Sequence, residues 1–474
     1  MDKILHINAE QHLPSGVVHT LNKPSYLFPF TTKKTKYLQG NFKIVISELA
    51  RNITHYDLQP RKLEELDFYY FEGANKLSEF IAGTKEVEFP DDVARVNFLR
   101  LIDTYLFSDQ QMKVVHTYLY NFIGKSEAGQ TEINHLAEFI ASVFIGDNEE
   151  IKNIFKNKET DDILTRLIIK EIDQLVEEKK TAPKRQYSNL FPNFTKLFQQ
   201  DIQFLVKHKE FFIANFEMFL HYYAFMYVCQ GVVQLEKMAQ GTFEEAHPLY
   251  FALDWEAVRK KRPVADDFKG FKVVKDNAIN LFSHEFVLRS LSYNIFNKDK
   301  DAGYEVRSYH QLLHDVESRG ENGKQQFVQE LKEWVKDYIN WSYRNPEERP
   351  TSELPNTAEE LFEVLLALVK DRMNDDARKE YGRSIENLGL GVFLKQRGSL
   401  GYLLNINHDF LMMMTAVIVK DGRMPFKTLL KEFEKRGIAF DRHSIEEIIT
   451  LFNNHNILDK KSDSGDAQYV KPIL

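Results

Sequence analysis

Cysteine is nearly absent: one residue, Cys229, among 474. No intramolecular disulfide can form, so the fold must rest on packing, and a reducing compartment suits the chain. Cys229 lies inside an apolar helical run, which points to a buried, inert thiol. Proline and glycine are scarce too, at 14 and 21, against 37 Phe and 21 Tyr; a disordered chain has the opposite balance. An uninterrupted apolar run is also missing. Residues 211–233 are the most apolar, yet Asn215, Glu217, His221 and Gln230 interrupt them, and each would be costly in lipid. The segment reads as a buried core helix. The start, Met1-Asp2-Lys3-Ile4-Leu5-His6, has neither the basic cluster nor the apolar stretch of a secretory signal, so a cytoplasmic location is expected. A net charge of −8 excludes a protein that coats nucleic acid with its whole surface.

What is present is helical periodicity. The length exceeds one ordinary core and predicts two or three packed units. Residues 1–40, with Pro14, Pro24 and Pro29, read as an extended segment lying on the rest. From 41 a 3.6-residue period takes over, as in the stripe Phe98, Leu99, Leu101, Ile102, Tyr105, Leu106 and again in Ile163, Leu164, Leu167, Ile168, Ile172, Leu175. Charge and proline over 177–186 mark a linker, which bounds an N-terminal helical domain at 41–180. A central helical domain with an aromatic core follows at 186–398. It contains a second break near Asn345–Pro355 and, at 249–253, a short apolar run that could be a buried strand.

The last seventy residues carry the clearest pattern. Phe410, Leu411, Met413, Met414, Val417 and Ile418 describe a buried first helix. Pro425 opens a short second helix with Leu429, Leu430 and Phe433 inward and Gly437 as its stop. Ser444-Ile445-Glu446-Glu447 reads as the capping box of a third, whose Ile445, Ile448, Ile449 and Phe452 share a face. Leu458–Lys461 and Ala467–Val470 then flank a polar turn. Three helices and a hairpin in this order predict a winged helix-turn-helix over 399–474, on an otherwise mainly α, multi-helical body. The third helix offers Glu446, Glu447, Thr450, Asn453 and Asn454 where a DNA reader usually places cations. Lys427, Lys431 and Lys435 line one face of the second, with Arg436, Arg442, Lys460 and Lys461 nearby. These seven residues are the candidate contacts. Two readings stay open: protein docking through the third helix, or duplex contact through the lysine stripe and wing.

Several constellations imitate chemistry. Gly124-Lys125-Ser126 copies the end of a phosphate-binding loop but has Leu119 where the motif needs glycine. His310 and His314 stand four apart on a predicted helix, a spacing by which two imidazoles can share a metal, but position 311 is Gln and the zinc-protease pattern fails; hydrogen-bonded structural histidines are the expectation. Asp91-Asp92, Asp161-Asp162 and Asp266-Asp267 read as helix starts. The basic clusters Arg259-Lys260-Lys261-Arg262, Lys179-Lys180 with Lys184-Arg185, and Lys33-Lys34 with Lys36 read as solvated loops. No catalytic motif, cofactor site or metal site is expected.

Four strings near the end add a resemblance. Arg397-Gly398-Ser399-Leu400-Gly401-Tyr402, Asn405-Ile406-Asn407-His408-Asp409, Lys435-Arg436-Gly437-Ile438-Ala439-Phe440-Asp441 and Ser462-Asp463-Ser464-Gly465-Asp466-Ala467-Gln468-Tyr469-Val470 resemble the C-terminal region of the DNA phosphorothioation-dependent restriction protein DptG family. The match covers roughly the last eighty residues. It implies a bacterial anti-phage role, restricting DNA that lacks phosphorothioate marks, as a non-catalytic subunit bridging DptF-like and DptH-like ATPase subunits and double-stranded DNA. It supplies no catalytic residue. A winged-helix DNA-binding regulator or sensor is the alternative.

Overall fold

The computed structural model describes residues 3–7, 19, 25–33, 42–58, 76–83, 88–108, 111–124, 129–178, 186–297, 305–460 and 468–474. Among these, 63% are helical and 9% lie in strands, so the chain is mainly α, as expected. The first half holds α1 (Phe42–Thr54), α2 (Lys76–Ala82), α3 (Asp92–Leu106), α4 (Gln130–Ile140), α5 (Glu149–Lys156) and α6 (Ile163–Ile172). The centre holds α7 (Pro192–Leu205), α8 (Lys209–Leu235), α9 (Phe271–Asn277), α10 (Leu281–Leu291), α11 (Tyr309–Glu317), α12 (Gly320–Ser342), α13 (Ala358–Arg372) and α14 (Asp375–Gly389). The end holds α15 (His408–Val419), α16 (Phe426–Lys435) and α17 (Arg442–Asn454).

The axis of the molecule is α8. Of its 27 residues, every one from Phe219 to Leu235 is buried, which is why it shows no amphipathic stripe. It packs on α1, α7, α9, α10, α14 and α15. The polar residues that argued against a membrane span have internal partners: His221 Nε2 meets the Leu388 carbonyl at 2.6 Å, and Gln230 exchanges two hydrogen bonds with the His247 backbone. No helix among the described residues is long and apolar enough to cross a membrane. Cys229 is buried, and burial pushes its thiol well up, as an inert side chain requires.

Among the described residues, sheet structure is confined to short pairings. Strands β1 (Ser25–Tyr26), β2 (Tyr56–Leu58), β3 (Phe107–Ser108), β4 (Gln111–Met112), β5 (Val176–Glu178) and β6 (Gln186–Tyr187) form three separate two-stranded pairs, β1 with β6, β2 with β5 and β3 with β4. The apolar run at 249–253 is two strands, β7 (Leu249–Tyr250) and β8 (Ala252–Leu253). They bind the end of the chain to its centre. β8 pairs in parallel with β10 (Tyr402–Ile406), itself antiparallel to β9 (Leu394–Gln396), and β7 pairs in parallel with β12 (Ile438–Ala439).

Two boundaries read from the sequence do not coincide with cores. One contiguous core runs from Ile4 to Val470. A smaller one, from Leu58 to Leu175, is built by α2, α3, α6 and the segment between them, while α1, α4 and α5 belong to the large core. The stretch 41–180 therefore contributes to both. The boundary at 398/399 falls inside the β9–β10 hairpin, and beyond it Phe410, Leu411, Met413 and Met414 pack into the large core.

Candidate interaction surface

In the last seventy residues the Asn407 side chain caps α15, accepting from the Phe410 N–H. After α15 come β11 (Met424–Pro425), α16, β12 and α17, then β13 (Leu458–Lys460) and β14 (Gln468–Val470). β14 lies between β11 and β13, antiparallel to both. Of the three helices, α16 packs on β11 and β14 and α17 on β13, while α15 packs on α16, α7 and α8. Pro425 sits one residue outside α16, in β11, instead of in the first turn. Gly437 is the expected stop, with φ +85°. The third helix starts earlier than expected: Asp441 is the N-cap, accepting from His443 N and Ser444 N at 3.1 and 3.0 Å.

Ser444 is not free to cap because it belongs to a buried knot. Arg262, 10% exposed, places Nε and Nη2 on the two Asp441 carboxylate oxygens at 2.8 and 2.7 Å; Nη2 also lies 3.0 Å from Glu256 Oε1 and 2.7 Å from Ser444 Oγ. Ser444 Oγ donates to Glu256. Burial alone would raise the Asp441 carboxyl, but Arg262 and the Ser444 N–H outweigh it and hold it below the usual range. The knot fixes the loop before α9 to the start of α17. From that loop Arg259, Lys260 and Lys261 point to solvent, with Phe268 exposed as well. The basic cluster expected to be a solvated loop is therefore divided: one arginine is an internal fastener and three cations stay outside.

The seven candidate contacts are not equivalent. Lys427, Lys431 and Lys435 are exposed along α16, and Lys435 pairs with Glu432 at 2.5 Å. Arg442, 94% exposed, reaches Glu446 at 3.0 Å. Lys460 ends β13, and Lys461 lies outside the described residues. Arg436 has to be withdrawn as a contact. It is 3% exposed and grips Asp201 of α7 with Nε and Nη2 at 2.7 and 2.8 Å, while Tyr223 donates to the same carboxylate at 2.6 Å. Burial opposes its charge, but Asp201 more than compensates and keeps the guanidinium protonated. Spacing could not separate Arg436 from the lysines, since its partner is 235 positions away.

The outer face of α17 carries the predicted acids and amides: Glu446, Thr450, Asn453 and Asn454 are exposed and Glu447 is half-buried. Near its end, His455 meets His408, the first residue of α15, with Trp255 beside them. No local pattern announces this pair, because its members come from different helices.

His310 and His314 lie on α11, which Ser308 and Gln311 start with a capping box, and both line a groove of about 560 Å³ with Glu317, Lys324 and Lys332. No group of three or more His, Cys, Asp or Glu among the described residues is arranged to hold a metal. Gly124 follows a 3₁₀ turn, Thr117–Phe122, and not a strand; Lys125 and Ser126 lie outside the described residues. Asp91 and Asp162 cap α3 and α6. Asp266 instead accepts from the Phe268 N–H in a turn. The cluster Lys179-Lys180 with Lys184-Arg185 lies outside the described residues, as do Lys34 and Lys36.

No known family model matches the chain, and no curated protein matches it.

Proposed function

We propose that the protein is a non-catalytic subunit of a DNA phosphorothioation-dependent restriction assembly of the DptG kind, and that its C-terminal unit is a winged helix-turn-helix serving as the contact surface. The supporting observation is the order α15, β11, α16, α17, β13, β14 with β14 between β11 and β13, an order in which α17 would serve as the recognition helix of such a unit. The exposed α16 lysines and Arg442 face outward from a base fixed to the body by β7, β8 and Asp201. The resemblance in the terminal strings supplies the partners, DptF-like and DptH-like ATPase subunits. Affinity capture of the tagged protein from native cells, followed by mass spectrometry, is expected to recover both ATPases. Absence of both, together with unchanged phage restriction on deletion, rejects the reading.

One observation favours direct DNA contact, as a winged-helix regulator or sensor would make: the Arg262 knot holds Arg259, Lys260 and Lys261 beside the start of α17, where Arg442 is exposed. This reading expects duplex affinity whose log–log salt slope is about −0.9 per neutralised phosphate. Changing Lys427, Lys431 and Arg442 to Glu should flatten that slope; a salt-independent affinity excludes it.

A further inference from the structure

Metal binding demands donors already turned toward one another, and His408 and His455 meet that condition. Their Nε2 atoms stand 3.2 Å apart, with ring planes at 46°. At the other nitrogen of His408, Nδ1, the Asp409 carboxylate lies 3.7 Å away. His408 is 40% exposed and His455 is exposed, so water reaches both rings. We propose that these two imidazoles form an open site for a borderline divalent transition ion, Zn²⁺, Ni²⁺ or Cu²⁺, which clips the start of α15 to the end of α17. The inference does not rest on the functional reading above.

The geometry carries it. With an ion about 2.0–2.1 Å from each imidazole nitrogen, two tetrahedral ligands stand roughly 3.3 Å apart and two square-planar neighbours about 2.9 Å apart. The observed separation falls between these values, so little movement is needed to admit the ion. The Asp409 carboxylate, 82% exposed, is in charge-contact and not hydrogen-bond range of Nδ1, and the tautomer with its proton on Nδ1 leaves the Nε2 lone pair of His408 aimed at the shared point. The alternative, a single hydrogen bond between neutral rings, uses the same spacing and is separable by experiment. Two protein ligands leave the remaining positions to water or to a group from a partner, and the site is correspondingly weaker than a closed one.

Trp255 provides the readout. It is 40% exposed and its ring lies 6.2 Å from that of His408, within range of quenching by bound Cu²⁺. The full chain titrated with Cu²⁺ alone is expected to show saturable quenching that disappears in Trp255→Phe. Its midpoint should rise at least about tenfold in His408→Gln and in His455→Gln, and less in Asp409→Asn. Zn²⁺ alone should compete with the quench and raise the melting temperature of the parent chain but of neither histidine variant. Metal-free melting of each variant checks that it folds. An unchanged midpoint in either histidine variant overturns the proposal. So does quenching that survives Trp255→Phe, or a midpoint that moves only with His310→Gln and His314→Gln.

Discussion

Arg436 and Asp201 show how a residue's neighbours decide its role. The guanidinium and carboxylate are both buried, so removing one partner strands the other charge in an apolar setting. Arg436→Ala is expected to cost about 3–5 kcal/mol in urea unfolding. Replacing both, as Arg436→Met with Asp201→Leu, should cost less than that single change, because an apolar pair carries no desolvation penalty. A double variant less stable than Arg436→Ala would show that the pair contributes through more than cancelling charges. His221 sets a second residue-scale expectation. Burial pulls its imidazole from the ordinary 6.5 down to about 4, with the Leu388 carbonyl opposing only in part. The unfolded chain therefore binds the extra proton first as pH falls. The neutral ring's contribution, whole above pH 6.5, is lost between pH 6.5 and about 4, on the order of 3 kcal/mol. The His221→Gln variant should lose less stability than the parent over that window; an equal loss in both would clear His221 of the effect.

At the level of elements, α17 shows where periodicity reads well and where it misleads. Ile448 and Phe452 are buried as their spacing predicts, yet the start moves from Ser444 to Asp441. Both residues fit a capping pattern. The choice between them depends on Arg262 and Glu256, which approach from a loop remote in sequence and engage the Ser444 hydroxyl. The consequence is measurable. Asp441→Ala removes the cap and one carboxylate of the Arg262 knot, and should cost at least about 2 kcal/mol. Ser444→Ala should cost about 1 kcal/mol. The reverse order in thermal or urea unfolding would return the cap to Ser444. The same reasoning covers Gly437. Its stop was legible from type and place, but the space against which it is packed was not: a Cβ there would come 2.9 Å from Met226 Sδ on α8.

On the scale of the whole molecule, the mainly helical character, the buried α8, the short strands at 249–253 and the break between α12 and α13 could be read from apolar spacing and proline, because each is set by residues close in the chain. Core membership could not. It depends on the parallel pairs β7–β12 and β8–β10 and on the Asp201–Arg436 bridge, which join positions more than a hundred residues apart. The end of the chain thus looks like a module in sequence but is part of the main core. A chain ending at Gly398 would lack Phe410, Leu411, Met413, Met414 and Val417, uncovering the part of α8 that packs on α15, and would leave β7, β8 and β9 without their β12 and β10 partners. It is expected to aggregate or to melt without a cooperative transition. In the intact chain, amides of α15 should exchange as slowly as those of α8, since both open only with the shared core. A truncated chain that melts sharply, or α15 amides that exchange far faster than those of α8, would mean that the terminal helices are an independent unit resting on a body complete without them.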